Sequence, residues 1–136
     1  MPSTGMPPTI QCLLIDDDQD DQEIFIMCLE SLSDHISCLA KSDGAEAIEL
    51  FNAHIGYVPD YIFLDVNMPK MNGIECLRLL KNIDRLKSTK IFMYSTISEG
   101  DTLSESVKLG AEDFIVKPTK AADLKNRLAA IFKTID

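Results

Sequence analysis

Short apolar runs alternate along the chain with longer segments in which apolar residues recur at helical spacing. The runs occupy residues 10–15, 36–40, 61–64, 90–94 and 114–116. Nearly continuous apolar runs of this length are typical of strands that are covered on both faces of a sheet. An amphipathic helical pattern follows each of them. The pattern therefore predicts five βα units, which right-handed crossovers assemble into a doubly wound parallel α/β sheet with helices on both faces.

Polar residues and glycine mark the ends of several predicted helices. Asp20 and Glu23 have capping-box spacing at the start of the first helix. Residues 42–44 form a turn and cap before the second helix. A weaker fourth helix is predicted over residues 99–109 and is stopped by Gly110.

Length and charge narrow the class of protein. The 136 residues fit one domain, which we expect over residues 10–136, after a Pro- and Gly-containing flexible tail at residues 1–9. The net charge of −9 argues against a nucleic-acid partner, because phosphate neutralisation needs Lys and Arg. No apolar run reaches transmembrane length and the N-terminus lacks the regions of a signal peptide, so we expect a cytoplasmic protein without a membrane partner.

The third apolar run ends on Asp65, and the chain then breaks at Asn67, Pro69 and Gly73. In open parallel α/β sheets the functional crevice lies outside the carboxyl ends of the strands. One interpretation is that Asp65 is a nucleophile that accepts a phosphoryl group. The alternative is that Asp65 caps the helix after the loop.

Other strands also finish on chemically useful side chains. Asp16 and Asp17 follow the first strand, Ser95 the fourth and Lys117 the fifth. Because the carboxyl ends of parallel strands share one edge of the sheet, these groups and Asp65 are expected to converge there. This shared position favours a phosphoryl-transfer site over five unrelated polar residues.

The chemistry of such a site is coherent. Clustered carboxylates repel one another, and a divalent cation relieves that repulsion. Oxygen ligands with an incomplete protein shell favour Mg²⁺. Lys117 can supply a positive charge and Ser95 a hydroxyl donor to phosphoryl oxygens, which suits a reaction that depends on positioning and charge neutralisation.

These residues carry a resemblance that covers the chain from residue 10 to its end. The sequence resembles a receiver domain of the two-component response regulators, of the stand-alone chemotaxis-regulator type. The motifs are Leu14-Ile15-Asp16-Asp17, Phe63-Leu64-Asp65-Val66-Asn67-Met68-Pro69 with Gly73, Tyr94-Ser95, and Val116-Lys117-Pro118. The resemblance implies the flavodoxin-like strand order 2-1-3-4-5.

The resemblance also implies roles for individual residues. Asp65 would take phosphate from a phosphohistidine on a sensor histidine kinase or a histidine phosphotransfer protein. Asp17, Asp65 and the main-chain carbonyl of Asn67 would bind Mg²⁺ directly, and Asp16 through water. Phe114 stands at the aromatic switch position, where it would act together with Ser95.

Two further positions are compared with the family pattern. Lys117-Pro118 resembles a position where the peptide bond is often cis. Ile97 is apolar, where an acid or amide would orient a water for dephosphorylation, so slow self-dephosphorylation is expected.

The leading hypothesis is a phospho-acceptor signalling module that is not an enzyme acting on other substrates. Its output is expected to be a protein contact through the fourth helix, fifth strand and last helix, as a monomer or a weak phosphorylation-dependent dimer. One alternative is a Mg²⁺-dependent phosphohydrolase with an Asp nucleophile, although such enzymes typically have a second acid where this chain has Asn67. Another is a phosphorylation-independent scaffold, which would need a broken acidic site.

Overall fold

Five parallel strands form the centre of a computed structural model that describes residues 9–66, 68, 71–96 and 100–132. The predicted metal ligand Asn67 and the predicted dephosphorylation position Ile97 lie outside the described residues. The boundary between a tail at residues 1–9 and a domain at 10–136 stays a prediction.

The elements alternate strictly between strand and helix, apart from one short 3-10 helix at Asp84–Leu86. The strands are β1 Ile10–Ile15, β2 Ile36–Lys41, β3 Tyr61–Leu64, β4 Lys90–Ser95 and β5 Asp113–Val116. The helices are α1 Gln19–Leu32, α2 Gly44–Ala53, α3 Gly73–Lys81, α4 Gly100–Lys108 and α5 Ala121–Phe132. The strand order is β2-β1-β3-β4-β5 and every pairing is parallel. The predicted doubly wound, flavodoxin-like fold is therefore confirmed.

The two faces of the sheet bury separate apolar clusters. Along β1, Leu13 and Ile15 belong to one cluster, while Cys12 and Leu14 belong to the other. Successive side chains of a strand point to opposite faces, so a strand covered on both sides needs an unbroken apolar run. This requirement explains why the strands could be recognised as continuous runs.

The N-terminal caps of the helices differ from the sequence-based expectations at α1 and decide between two interpretations of Asp65 at α3. Asp18, and not Asp20, caps α1, because the Asp18 Oδ1 atom accepts a hydrogen bond from the Asp21 N–H at 3.1 Å. Asp43 caps α2, as predicted. Asn72 caps α3, so the alternative that Asp65 caps this helix is wrong.

None of the helices in the described ranges combines the length and the apolar character needed to cross a bilayer. The Lys117–Pro118 peptide bond is trans, so the expectation of a cis bond is wrong.

Candidate functional site

Three carboxylates meet where β1 and β3 end. In the register of these strands, Ile15 pairs with Leu64, so that Asp16 and Asp65 leave the sheet side by side. The Asp65 N–H donates to the Ile15 carbonyl at 2.9 Å and continues the ladder. One carboxylate oxygen from each of Asp16, Asp17 and Asp65 lies within 4.8 Å of the others. Asp16 and Asp65 are buried, whereas Asp17 is exposed.

Lys117 brings a positive charge into this cluster from the end of β5. Its Nζ atom lies 2.7 Å from Asp16 Oδ2, 2.9 Å from Asp21 Oδ2 and 3.3 Å from Asp65 Oδ2. The Lys117 side chain is only 7% exposed. The same ammonium lies 5.2 Å from the centroid of the Tyr94 ring, which is a cation–π distance. Lys117 is therefore held by charge on one side and by an aromatic face on the other.

Burial and pairing shift the pKa values of these groups in physically clear directions. Burial raises the pKa of Asp16 to about 6, although Lys117 and the Asp18 N–H both favour the carboxylate. Burial alone would lower the pKa of Lys117, but its hydrogen bonds to Asp16 and Asp21 outweigh burial and raise it. Lys117 therefore stays charged at neutral pH, while Asp16 is ionised at a cost in free energy.

Asp16 is fixed by its surroundings as well as by its charge. Its Oδ1 atom accepts a hydrogen bond from the Asp18 N–H at 3.0 Å, and its main-chain carbonyl accepts one from the Gln22 side chain at 2.6 Å. These contacts connect the end of β1 to the first turn of α1. They hold the carboxylate in one orientation toward Lys117.

Ser95 supplies a buried hydroxyl from the end of β4. The side chain is 1% exposed, and its Oγ atom has no hydrogen-bond partner among the described residues. Most buried hydroxyl groups are hydrogen-bonded, so an unpaired one indicates a missing partner or a functional role. The main-chain N–H of Lys117 donates to the Ser95 carbonyl at 2.7 Å, which fixes the two residues side by side.

Phe114 lies on β5 in register with Met93 of β4. Its side chain is 9% exposed and packs in the apolar cluster that also contains Ala111, with Leu103 at its margin. The Phe114 side chain is therefore buried in this structure. Its role as a switch residue stays a prediction.

Two residues that contact Lys117 were not among the predicted site residues. Asp21 lies in the acidic first turn of α1, and its carboxylate ion-pairs with Lys117. The available signal was its position, because the helix that contains it begins directly after Asp16 and Asp17. Tyr94 directly precedes the predicted site residue Ser95, but the position of the Lys117 ammonium over its ring depends on tertiary packing.

The arrangement suits a cation and an anionic group together. Clustered acidic oxygens are the ligands preferred by hard divalent cations. The buried Lys117 ammonium and the Ser95 hydroxyl, which has no hydrogen-bond partner among the described residues, are donors for phosphoryl oxygens. The predicted residues Asp16, Asp17, Asp65 and Lys117 thus converge in space, and their individual roles stay predictions.

Comparison with known proteins agrees with this geometry. Residues 12–129 match the family model described as the response regulator receiver domain. The chain is 36% identical over 94 residues to chemotaxis protein CheY of Bacillus subtilis, covering 69% of this chain and 72% of that protein. It is 28% identical over 127 residues to chemotaxis protein CheY of Pseudomonas aeruginosa, covering 93% and 99%. Some other curated relatives are longer, and the chain spans 17% to 44% of their length.

A solved structure supports the same assignment. The CheX-CheY-BeF3-Mg complex from Borrelia burgdorferi contains a chain that is 30% identical to this one. It superimposes with a TM-score of 0.76 over 95% of this chain and 92% of that chain. Sequence motifs, strand order and relatives agree, and the chain belongs to the family of response regulator receiver domains.

Proposed function

We propose that this CheY-like receiver domain, within residues 10–136, accepts a phosphoryl group on Asp65. The donor is a phosphohistidine on a sensor histidine kinase or a histidine phosphotransfer protein. The single observation that supports this proposal best is the pairing of Lys117 with Asp65, because a charged ammonium 3.3 Å from Asp65 Oδ2 is placed to neutralise a phosphoryl group attached there.

In this reaction a carboxylate oxygen of Asp65 attacks phosphorus. The phosphorus–nitrogen bond of the donor breaks and a carboxyl–phosphate bond forms. The leaving imidazole retains the electron pair of the broken bond and takes up a proton. The buried hydroxyl of Ser95 donates to a phosphoryl oxygen, which would give that hydroxyl the partner it lacks in the described residues.

Mg²⁺ is the metal that fits the residues present. Asp17 and Asp65 would hold it directly and Asp16 through water, with the main-chain carbonyl of Asn67 as the further predicted ligand. When bound, the cation would neutralise carboxylate and phosphoryl charge. The cluster of carboxylate oxygens within 4.8 Å supports this assignment.

The output of the domain is a protein contact through α4, β5 and α5. This face exposes two valine side chains, Val107 at 55% and Val116 at 50%. Both α4 and β5 therefore offer exposed apolar surface to a protein partner. The Borrelia burgdorferi relative occurs in a complex with a second protein, CheX, which supports output by protein contact.

Intact-mass measurement tests the proposal directly. The wild-type protein is incubated with acetyl phosphate, with Mg²⁺ and with EDTA. We expect a mass increase of one phosphoryl group with Mg²⁺, and none in Asp65→Asn. Asp18→Asn is the stringent control, because it changes a carboxylate of the same acidic segment while Asn keeps the helix cap. Undiminished labelling of Asp65→Asn would refute Asp65 as the acceptor.

The same experiment separates the alternatives. A phosphohydrolase would consume many equivalents of acetyl phosphate per protein. A phosphorylation-independent scaffold would show no mass increase under any condition. The proposal requires one stable phosphoryl group per chain.

A further inference from the structure

Asp21 has no part in the proposed reaction, yet it makes one of the shortest contacts of Lys117. Its Oδ2 atom accepts a hydrogen bond from Lys117 Nζ at 2.9 Å, compared with 3.3 Å for Asp65 Oδ2. Asp21 lies in the first turn of α1, far from Lys117 in sequence. The contact therefore links α1 to the end of β5 through the functional site.

The Lys117 ammonium already faces three carboxylates in this arrangement, two as hydrogen-bond acceptors and Asp16 as an ion-pair partner. An ammonium has three N–H donors, and the Nζ atom has carboxylate oxygens of Asp16, Asp21 and Asp65 within 3.3 Å. A phosphoryl group on Asp65 brings additional oxygens that need the same donors. One of the existing pairs must then weaken before Lys117 can bind the phosphoryl group.

Exposure decides which pair weakens. The Asp16 side chain is fully buried and the Asp65 side chain is 6% exposed, whereas the Asp21 side chain is 33% exposed. A carboxylate that loses its cation inside the protein is left without compensation, but a carboxylate at the surface regains water. Asp21 is thus the partner whose release costs the least free energy.

We propose that Asp21 is a positioning residue that holds Lys117 in the unphosphorylated domain and competes with the phosphoryl group for its ammonium. This inference rests on the proposed function, because the competitor is a phosphoryl group on Asp65. Asp21 slows phosphorylation because its ion pair with Lys117 must break before the ammonium can bind the phosphoryl group. It also fixes the ammonium beside the site before the donor arrives.

The test compares phosphorylation rate constants with acetyl phosphate and Mg²⁺ for wild type, Asp21→Asn and Asp20→Asn. Asp20 is the matched control, because it lies in the same first turn, is exposed and carries the same charge, but makes no ion pair within the described part of the chain. Both variants therefore remove one negative charge from the first turn of α1, and both reduce the electrostatic repulsion of acetyl phosphate to a similar extent. Only Asp21→Asn weakens a partner of Lys117.

We expect Asp21→Asn to accelerate phosphorylation by roughly twofold to fivefold, the range set by losing a partly exposed ion pair. Asp20→Asn should change the rate constant less than Asp21→Asn does. Asp21→Glu, which restores the charge, should return the rate constant toward wild type. Equal rate constants for Asp21→Asn and Asp20→Asn, or slower phosphorylation of Asp21→Asn, would overturn the inference.

A second measurement does not depend on phosphorylation. In the wild type, the Lys117 side-chain ammonium should give a nitrogen–proton NMR signal that is protected from exchange with water. This signal should broaden in Asp21→Asn and persist in Asp20→Asn. A wild-type protein that takes up no phosphoryl group would refute the proposed function, whereas an unchanged ammonium signal in Asp21→Asn would refute the role of Asp21 alone.

Discussion

The main-chain N–H of Lys117 donates a hydrogen bond to the carbonyl of Ser95 at 2.7 Å. The two side chains proposed to bind a phosphoryl group are thereby fixed to neighbouring strand ends, β4 and β5. One of them is a charged group with several partners, and the other is a hydroxyl with none among the described residues. A phosphoryl group on Asp65 would accept a hydrogen bond from the Ser95 hydroxyl and would form an ion pair with the Lys117 ammonium.

Ser95→Ala should keep the stability of the domain while it loses the conformational response to phosphorylation. Because the Ser95 hydroxyl is buried without a partner in the described residues, its removal should leave the free energy of unfolding unchanged or raise it by up to about 1 kcal/mol. Ser106→Ala is the contrasting control, since the buried Ser106 hydroxyl donates to the Leu103 carbonyl at 2.9 Å and its loss should cost about 1 kcal/mol. Urea denaturation measures both.

The same Ser95→Ala variant should keep most of its phosphorylation but lose the conformational response. Phosphorylation-dependent changes in hydrogen exchange are expected in α4, β5 and α5 of the wild type and should be absent in Ser95→Ala. Changes confined to the segments after Asp16 and Asp65 would contradict output through this face.

Metal affinity should depend on Asp17 far more than on its acidic neighbours. Mutation of a residue that only hydrogen-bonds to a metal ligand already weakens metal affinity by about 10- to 100-fold. Asp17→Ala removes a charged group proposed to bind the metal directly, so it should weaken Mg²⁺ binding by at least about tenfold. Asp20→Ala should have little effect, because Asp20 is not part of the carboxylate cluster. Calorimetric titration provides both constants, and equal losses would indicate a diffuse acidic field.

Asp16 should make stability depend on pH when no metal is present. Its folded-state pKa is raised by burial from 3.8 to about 6, so the folded protein binds this proton more tightly than the unfolded chain does. Its contribution to stability is therefore most favourable below about pH 4 and is lost as pH rises through about 6. At about 1.36 kcal/mol per pKa unit, the loss amounts to about 3 kcal/mol.

Asp16→Asn should remove this cost. In EDTA, the free energy of unfolding of Asp16→Asn relative to wild type should increase between pH 4 and 7. Asp20→Asn removes an exposed carboxylate of the same segment and should follow the wild-type profile. A constant difference between Asp16→Asn and wild type over this pH range would show that burial does not penalise the Asp16 charge.

The fold and most of the site could be predicted because they depend on local patterns. Strands buried on both faces require continuous apolar runs, and parallel strands bring their polar ends to one edge, which is how Asp16 and Asp65 could be placed together. The strand ends were less certain, since β2 extends to Lys41 and β4 to Ser95. Hydrogen bonding to neighbouring strands, and not side-chain hydrophobicity, determines those residues.

Other features depend on individual hydrogen bonds and ion pairs that the pattern of apolar residues does not contain. Asp20 and Glu23 matched a capping box, but the hydrogen bond from Asp18 N–H to Asp16 Oδ1 tightens the turn and Asp18 becomes the cap. The ion pair of Asp21 with Lys117 joins residues 96 positions apart. Such a contact follows only when both the helix orientation and the lysine conformation are known.

Gly73 should be essential to the geometry of the segment that contains Asp65. A Cβ atom added to Gly73 would overlap the Asp65 carbonyl oxygen and would lie 2.7 Å from the Val66 Cα atom. The Gly73 N–H also donates to the Val66 carbonyl at 2.8 Å, so the two backbones cannot move apart without losing that bond. We expect Gly73→Ala to destabilise the domain by about 1–3 kcal/mol, as overpacked sites do, and to displace Asp65 from Lys117.

Gly56→Ala is the matched control for this prediction. A Cβ atom at Gly56 meets nothing within 4 Å, so this substitution should be neutral or stabilise by up to about 1 kcal/mol by restricting the unfolded chain. Thermal unfolding measures the stability of both variants, and the acetyl phosphate assay measures their acceptance of a phosphoryl group. Because the atoms that clash with a Cβ at Gly73 belong to the backbone around Asp65, Gly73→Ala should lose phosphorylation at temperatures where it is still folded. A folded Gly73→Ala that is phosphorylated at the wild-type rate would show that the position of Asp65 tolerates a shift of this backbone.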